Sequence, residues 1–321
     1  MQNQFIKLLS CLIPSKKARI AFRAKFGKIP LQKYGVKHVY NPQDSQDIII
    51  NELSKGQPCM ICRFGGTEMR VVDHYLKNRN KLNVKFPEKI KEMIGALSGF
   101  FPSTDYLLSR FSSEFIELAK DIDVLAVWNT KSEKYMCENY LNKNAKLIHL
   151  FALNTVSFEN PWSQYLQGKK VLVIHPFAET IEKQYKNREK VFAKNPKVLP
   201  QFELITMKPV QGLADSRFEL PYENWFEALN DMKSQISKID FDIAVIGAGA
   251  YGIFLAHYCK ELGKQAVHLG GATQLLFGIT GKRWDVEQAF VIENVINEHW
   301  VRPDINEQPK GVKQVEGGCY W

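Results

Sequence analysis

From residue 44 onward, short apolar runs alternate with longer stretches of helical periodicity, the pattern of an α/β chain built on a largely parallel sheet. The strand-like runs are 58–63, 123–128, 146–150, 170–175, 202–207, 241–246 and 265–269. Between them the spacing predicts helices over 45–55, from Gly66 through Met69 and Val72, and over 87–99, 104–120, 132–142, 178–185, 222–239 and 251–262. The fold class this implies is α/β and Rossmann-like, with helices flanking the sheet. Four units follow: a basic arm at 1–37, an α/β half at 38–168, a second α/β half at 169–300 and an irregular tail at 301–321. No long linker separates the halves, so they either stand apart or share one sheet. Trp300, Tyr320 and Trp321 suggest that the tail is tied to the body.

At 321 residues, 45% apolar and 24% charged, the chain has the composition of a globular protein. No apolar run approaches the roughly 18 residues of a membrane span, which argues against an integral membrane protein. The net charge of +9 is localised. Nine cations and no acid lie in residues 1–37, leaving 34 basic residues against 34 acidic ones in the rest. A nucleic-acid-binding domain would carry its basic stripe on the folded body, so none is expected, and an RNA-binding tail stays open as an alternative for the arm. The arm mixes its cations with Phe5, Ile6, Leu8, Leu9, Leu12, Ile13, Ile20, Phe22 and Phe26. Such a segment either meets an anionic membrane surface or docks on the body. A secretory signal fits poorly, because the apolar stretch is short, contains Lys7 and lacks a following small-x-small site. The six dispersed cysteines read as reduced thiols in a cytoplasmic protein. Cys59 and Cys62 spell CxxC within a strand, where residues three apart face opposite ways, so core packing is expected of them.

Ligands of open α/β sheets settle at the carboxyl ends of strands, and three such ends carry chemistry. In Arg63-Phe64-Gly65-Gly66-Thr67-Glu68, Gly65 and Gly66 allow close backbone approach, Arg63 offers a fork for phosphate or carboxylate, and Glu68 can hold a hydroxyl, a metal or a proton. An Arg–Glu ion pair across a tight turn is the plainer reading. Gly247, Gly249 and Gly252 spell GxGxxG between a strand and a helix, but the next strand ends in His268-Leu269-Gly270 without the ribose-binding acid of a dinucleotide site. The turn is therefore read either as a nucleotide or phosphate cradle or as a merely tight strand-to-helix turn. His175 ends a strand with Glu179 four residues on, either an acid–base pair or a satisfied histidine before a helix started by Pro176. Lys282 and Arg283 stand beside Gly278, Gly281 and Trp284, as phosphate-binding helpers or as solvated loop charges.

On these residues the chain resembles the GT-D class of bacterial glycosyltransferases, which build surface polysaccharides and glycoproteins. Arg63 to Glu68 is similar to that family's arginine-x-glycine-x-x-glutamate element, and 242–271 to its strand, glycine-rich turn, helix and strand. The resemblance implies transfer of a sugar from a nucleotide-diphosphate donor to a surface glycan acceptor, free or lipid-linked, at the inner face of the membrane. It implies Arg63, Gly65, Gly66, Gly247, Gly249 and Gly252 on the donor, with Lys282 and Arg283 assisting, and Glu68, or His175 with Glu179, in catalysis. Some members carry an aspartate at the position of Gly66, pairing with the glutamate around a divalent cation such as manganese or magnesium. Here a metal held by Glu68 would lack that partner. A nucleotide- or dinucleotide-dependent oxidoreductase and a non-catalytic scaffold of an envelope polysaccharide assembly complex are the alternatives.

Overall fold

The computed structural model describes residues 33–287 and 295–321. The arm's proposed membrane contact therefore lies outside the described residues, apart from the segment beginning at Lys33. That segment forms a hairpin the sequence pattern did not indicate. Strands β1 (Lys33–Tyr34) and β2 (Lys37–Tyr40) pair antiparallel around Gly35, whose φ of +56° suits glycine.

Seven further strands complete one sheet: β3 (Cys59–Arg63), β4 (Val124–Val127), β5 (Lys146–His149), β6 (Lys170–Ile174), β7 (Glu203–Met207), β8 (Ile243–Ile246) and β9 (Gln265–His268). The order is β1-β2-β5-β4-β3-β9-β8-β6-β7, and every pairing beyond the hairpin is parallel. The two halves of the chain meet where Cys59, Met60 and Ile61 lie opposite Gln265, Ala266 and Val267. One sheet thus runs through both.

The helices are α1 (Pro42–Ser54), α2 (Gly66–Asn78), α3 (Glu88–Ser98), α4 (Asp105–Leu118), α5 (Glu133–Asn139), α6 (Ala178–Lys186), α7 (Trp225–Ile236) and α8 (Gly252–Glu261), with short turns between and after them. Capping sets several starts. Asn41 accepts from the Asp44 N–H, Thr104 from Leu107, and Asn224 from Phe226 and Glu227. The cap at Asn224 explains why α7 begins at Trp225 rather than at Tyr222.

The central strands are buried on both faces, and their alternation sorts side chains into two cores. Met60, Cys62, Leu125, Leu172 and Ala244 join the core beneath α2, α4, α7 and α8. Cys59, Ile61, Val124, Val171 and Ile243 join the opposite one, with Ile49 of α1 and Ile181 of α6. Cys59 and Cys62 accordingly lie on opposite faces, and burial pushes the Cys59 thiol up to about 12. On the first face Phe100, Phe111, Trp225 and Phe254 form an aromatic cluster. Trp225 also stacks flat on Tyr251 at 4.6 Å, fixing the residue from which α8 departs. Among the described residues no helix is long and apolar enough to cross a membrane.

Candidate functional site

Five neighbouring strands, β4, β3, β9, β8 and β6, end along the same edge of the sheet and deliver Trp128, Arg63, His268, Gly247 and His175 respectively. These residues line one cavity of about 510 Å³, a volume suited to a small-molecule ligand. Its polar side adds Gly65, Gly66, Glu68, Gly249 and Gln274, and its apolar side adds Met93, Leu97, Leu213 and Ile253. A second depression, of about 700 Å³, opens at the amino edge of the sheet. It lacks converging strand ends, and its Lys37 ammonium is spent on the carbonyls of Asn142 and Lys143 at 2.8 and 2.9 Å.

Arg63 is the central cation of the cavity. Its guanidinium lies 5.0 Å from the centre of the Trp128 ring, a cation–π distance, and makes no ion pair with a carboxylate among the described residues. Its Nε is buried without a partner. Burial lowers the Arg63 pKa while the charge of Glu68 opposes that shift, and a guanidinium remains cationic throughout the physiological range. The alternative reading, an Arg63–Glu68 ion pair across the turn, is not met among the described residues, and Arg63 is half-buried and faces the cleft. Gly270, with φ +63°, lets the guanidinium rest on the main chain; a Cβ there would stand 3.1 Å from Nη1.

Glu68 is buried, and its carboxylate folds back over Gly65 so closely that any side chain at 65 would collide with it. It sits in the first turn of α2, where the helix dipole favours a negative charge. The space above Gly66 is taken by Trp128, whose Cη2 is 3.1 Å from a Cβ built there. Among the described residues no group of three His, Cys, Asp or Glu side chains could hold a metal ion. Glu68 with an indole in place of a second carboxylate does not fit a divalent metal.

The glycine turn follows β8 directly. The Gly247 N–H bonds Ile174 O at 2.9 Å, and Gly249 has a φ of +53°. A Cβ at Gly247 would stand 2.6 Å from His175 Cδ2, and one at Gly252 would stand 2.2 Å from His268 Cε1. Both histidines are buried, and desolvation pulls each imidazole down to about 3, with the Arg63 charge adding to the effect at His268.

Other sequence-predicted residues part from this group. Glu179 does not pair with His175: it is exposed, outside the cavity, and 4.0 Å from Lys208. The i, i+4 rule fails because His175 belongs to the strand end and α6 begins only at Ala178. Glu307 of the tail instead caps α6, accepting from the Glu179 N–H at 2.9 Å. Lys282 is exposed and bonds Gly317 O at 3.1 Å, so it is no part of the cavity lining. Arg283 does line the cavity, donating to Tyr320 Oη at 2.7 Å and pairing with Glu316.

Sequence reasoning missed two contributors. Trp128, 39% exposed, is fixed by its indole N–H donating to Phe64 O at 3.0 Å. The tail supplies Val315, Glu316, Tyr320 and Trp321, which close one side of the cleft. The tail's aromatic residues signalled docking but not where it would occur.

Fold and site together define an α/β protein with a ligand-sized cleft at the carboxyl edge of a parallel sheet. Comparison with protein-family models, curated proteins and solved structures returns no match.

Proposed function

We propose that the protein is a glycosyltransferase that moves a sugar from a nucleotide-diphosphate donor to a glycan acceptor, lipid-linked and reached from the cytoplasmic face of an anionic membrane. One observation carries the reading: Arg63 and the Gly247–Gly252 turn, far apart in sequence, line a single cleft in which the guanidinium lacks an ion-pair partner among the described residues. A departing nucleoside diphosphate needs such stabilisation. In this scheme the acceptor hydroxyl oxygen attacks the anomeric carbon and the bond from that carbon to the β-phosphate oxygen breaks. The nucleoside diphosphate leaves with the bonding pair. Glu68 takes the hydroxyl proton, Arg63 and Arg283 hold the phosphates, and Trp128 offers a flat ring against which a sugar or base can stack.

A thermal-shift screen with UDP, GDP, dTDP and NAD(H), with and without manganese, tests this. A ligand at 100 times its Kd stabilises the native state by about 2.7 kcal/mol. Stabilisation by one nucleoside diphosphate, lost in Arg63→Ala, supports the reading. Stabilisation by NAD(H) alone replaces it with an oxidoreductase. With the donor base known, Glu68→Gln should abolish transfer while leaving the fold intact; unchanged transfer would favour a non-catalytic role for this residue.

A further inference from the structure

The two histidines of the cleft are held in opposite tautomers by the main chain. His175 Nδ1 lies 3.1 Å from the Phe177 N–H, which can only donate, so Nδ1 carries the lone pair and Nε2 the proton. His268 Nδ1 lies 3.2 Å from Ile246 O, which can only accept, so Nδ1 carries the proton and Nε2 the lone pair. Both rings are buried and both line the cavity. With each Nδ1 engaged, Nε2 is the polar atom each ring has left for the cleft, and neither Nε2 has a protein partner among the described residues.

The glycine turn clamps both rings. Gly247 admits His175 and Gly252 admits His268, at distances that would exclude any side chain. The first and last glycines of the GxGxxG element therefore serve the rings, and Gly252, which does not line the cavity, serves only in this way there. They seat two imidazoles whose proton positions are fixed before a ligand arrives.

We propose that His175 and His268 form a donor–acceptor pair that reads the hydroxyl groups of the ligand's sugar, His175 donating from Nε2–H and His268 accepting at Nε2. This rests on the nucleotide-sugar reading of the cleft. A phosphate oxygen has no proton to offer and would be repelled by the His268 lone pair, whereas a hydroxyl both donates and accepts. Arg63, beside His268, serves the anionic part of the same ligand. A site built to hydrogen-bond hydroxyls rejects analogues that lack them, because its buried polar atoms are then left unpaired.

The test compares the full chain with His175→Gln and His268→Gln by calorimetric titration. The probe pairs are UDP with UDP-glucose, GDP with GDP-mannose, and dTDP with dTDP-glucose. The wild type should bind one sugar conjugate more tightly than its parent diphosphate. Each variant should lose about tenfold for the conjugate, with the parent diphosphate changed less than about twofold; tenfold is about 1.4 kcal/mol. Equal losses for both probes mean a purely structural role and overturn the proposal, as does an unchanged preference for the conjugate. If the wild type binds none of the six, the glycosyltransferase reading fails and this one fails with it. Should either variant misfold, nitrogen-15 spectra of the wild-type histidines decide. They should show one ring protonated at Nε2 and the other at Nδ1 from pH 5.5 to 8; matching tautomers or an imidazolium in that range overturn the proposal.

Discussion

The indole of Trp128 lies over Gly66, its Cη2 3.1 Å from where a Cβ would stand. Residue 66 opens α2 after β3, and residue 128 follows β4, so this contact latches two neighbouring strand ends together. The hydrogen bond from the indole to Phe64 O and the guanidinium of Arg63 complete the latch. Arg63 is thereby aimed by a ring from the next strand rather than by a carboxylate, which leaves its charge for a ligand.

The loop that carries Trp128 depends on Glu133. This fully buried carboxylate accepts from the Trp128 and Thr130 N–H groups at 3.0 and 3.2 Å, from the Asn129 N–H, and from Tyr34 Oη at 2.8 Å. Asn129 and Ser132 adopt positive φ within the same loop. Glu133→Ala would leave the buried Tyr34 hydroxyl and three part-buried main-chain donors unpaired, at an expected cost of about 2–4 kcal/mol in urea unfolding. If the proposed function holds, nucleotide binding should weaken at the same time, because Trp128 loses its support.

Gly252 has the most severe steric requirement in the turn. Gly252→Ala would drive a methyl group into the buried ring of His268 and should cost about 1–3 kcal/mol, despite the better helix propensity of alanine. His268→Ala introduced alongside it should recover part of that loss. A double-mutant cycle by chemical denaturation should give a coupling of about 1–2 kcal/mol. A sum of two independent effects would mean that the ring and the helix do not meet.

The sheet was legible because each buried strand is a short apolar run, and the Arg63 and Gly247 loops were legible because glycine next to a strand end is a local signal. Trp128 was not, since nothing local distinguishes an indole that bonds a carbonyl 64 residues away from one that packs in a core. The tail's place was hidden for the same reason, as Tyr320 reaches Arg283 across 37 positions. Conversely, His175 and Glu179 satisfied a spacing rule that applies only within a helix, and the helix starts after the histidine. The β1–β2 hairpin carries no apolar run, and Lys33 and Lys37 extend the basic stretch that precedes it.

His175 and His268 set an acid limit on stability. Their folded-state values, about 3, lie below the 6.5 of an unfolded histidine, so below pH 6.5 the unfolded chain binds more protons than the native one. Stability from these groups is fully present above that pH and falls as the pH drops toward 3. The expected slope is roughly 1.4 kcal/mol per pH unit for each histidine. Urea unfolding between pH 4.5 and 8 should show it, with a smaller fall in the doubly substituted His175→Gln, His268→Gln protein.

Glu316 faces the cleft from the tail and pairs with Arg283, which also donates to Tyr320 Oη at 2.7 Å. On the proposed function, a diphosphate held by Arg283 would compete with this carboxylate and be repelled by it. Glu316 is exposed and has a φ of +49°, followed by Gly317 and Gly318 in the same left-handed region. Glu316→Gln removes the competing charge without removing the side chain, and because the pair is partly solvated the protein's stability should change by less than about 1 kcal/mol. Binding of the preferred nucleoside diphosphate should tighten by about threefold to tenfold, and the gain should shrink as salt screens the repulsion. Weaker binding would instead make Glu316 part of the ligand's own contact set, holding Arg283 in place for the phosphates.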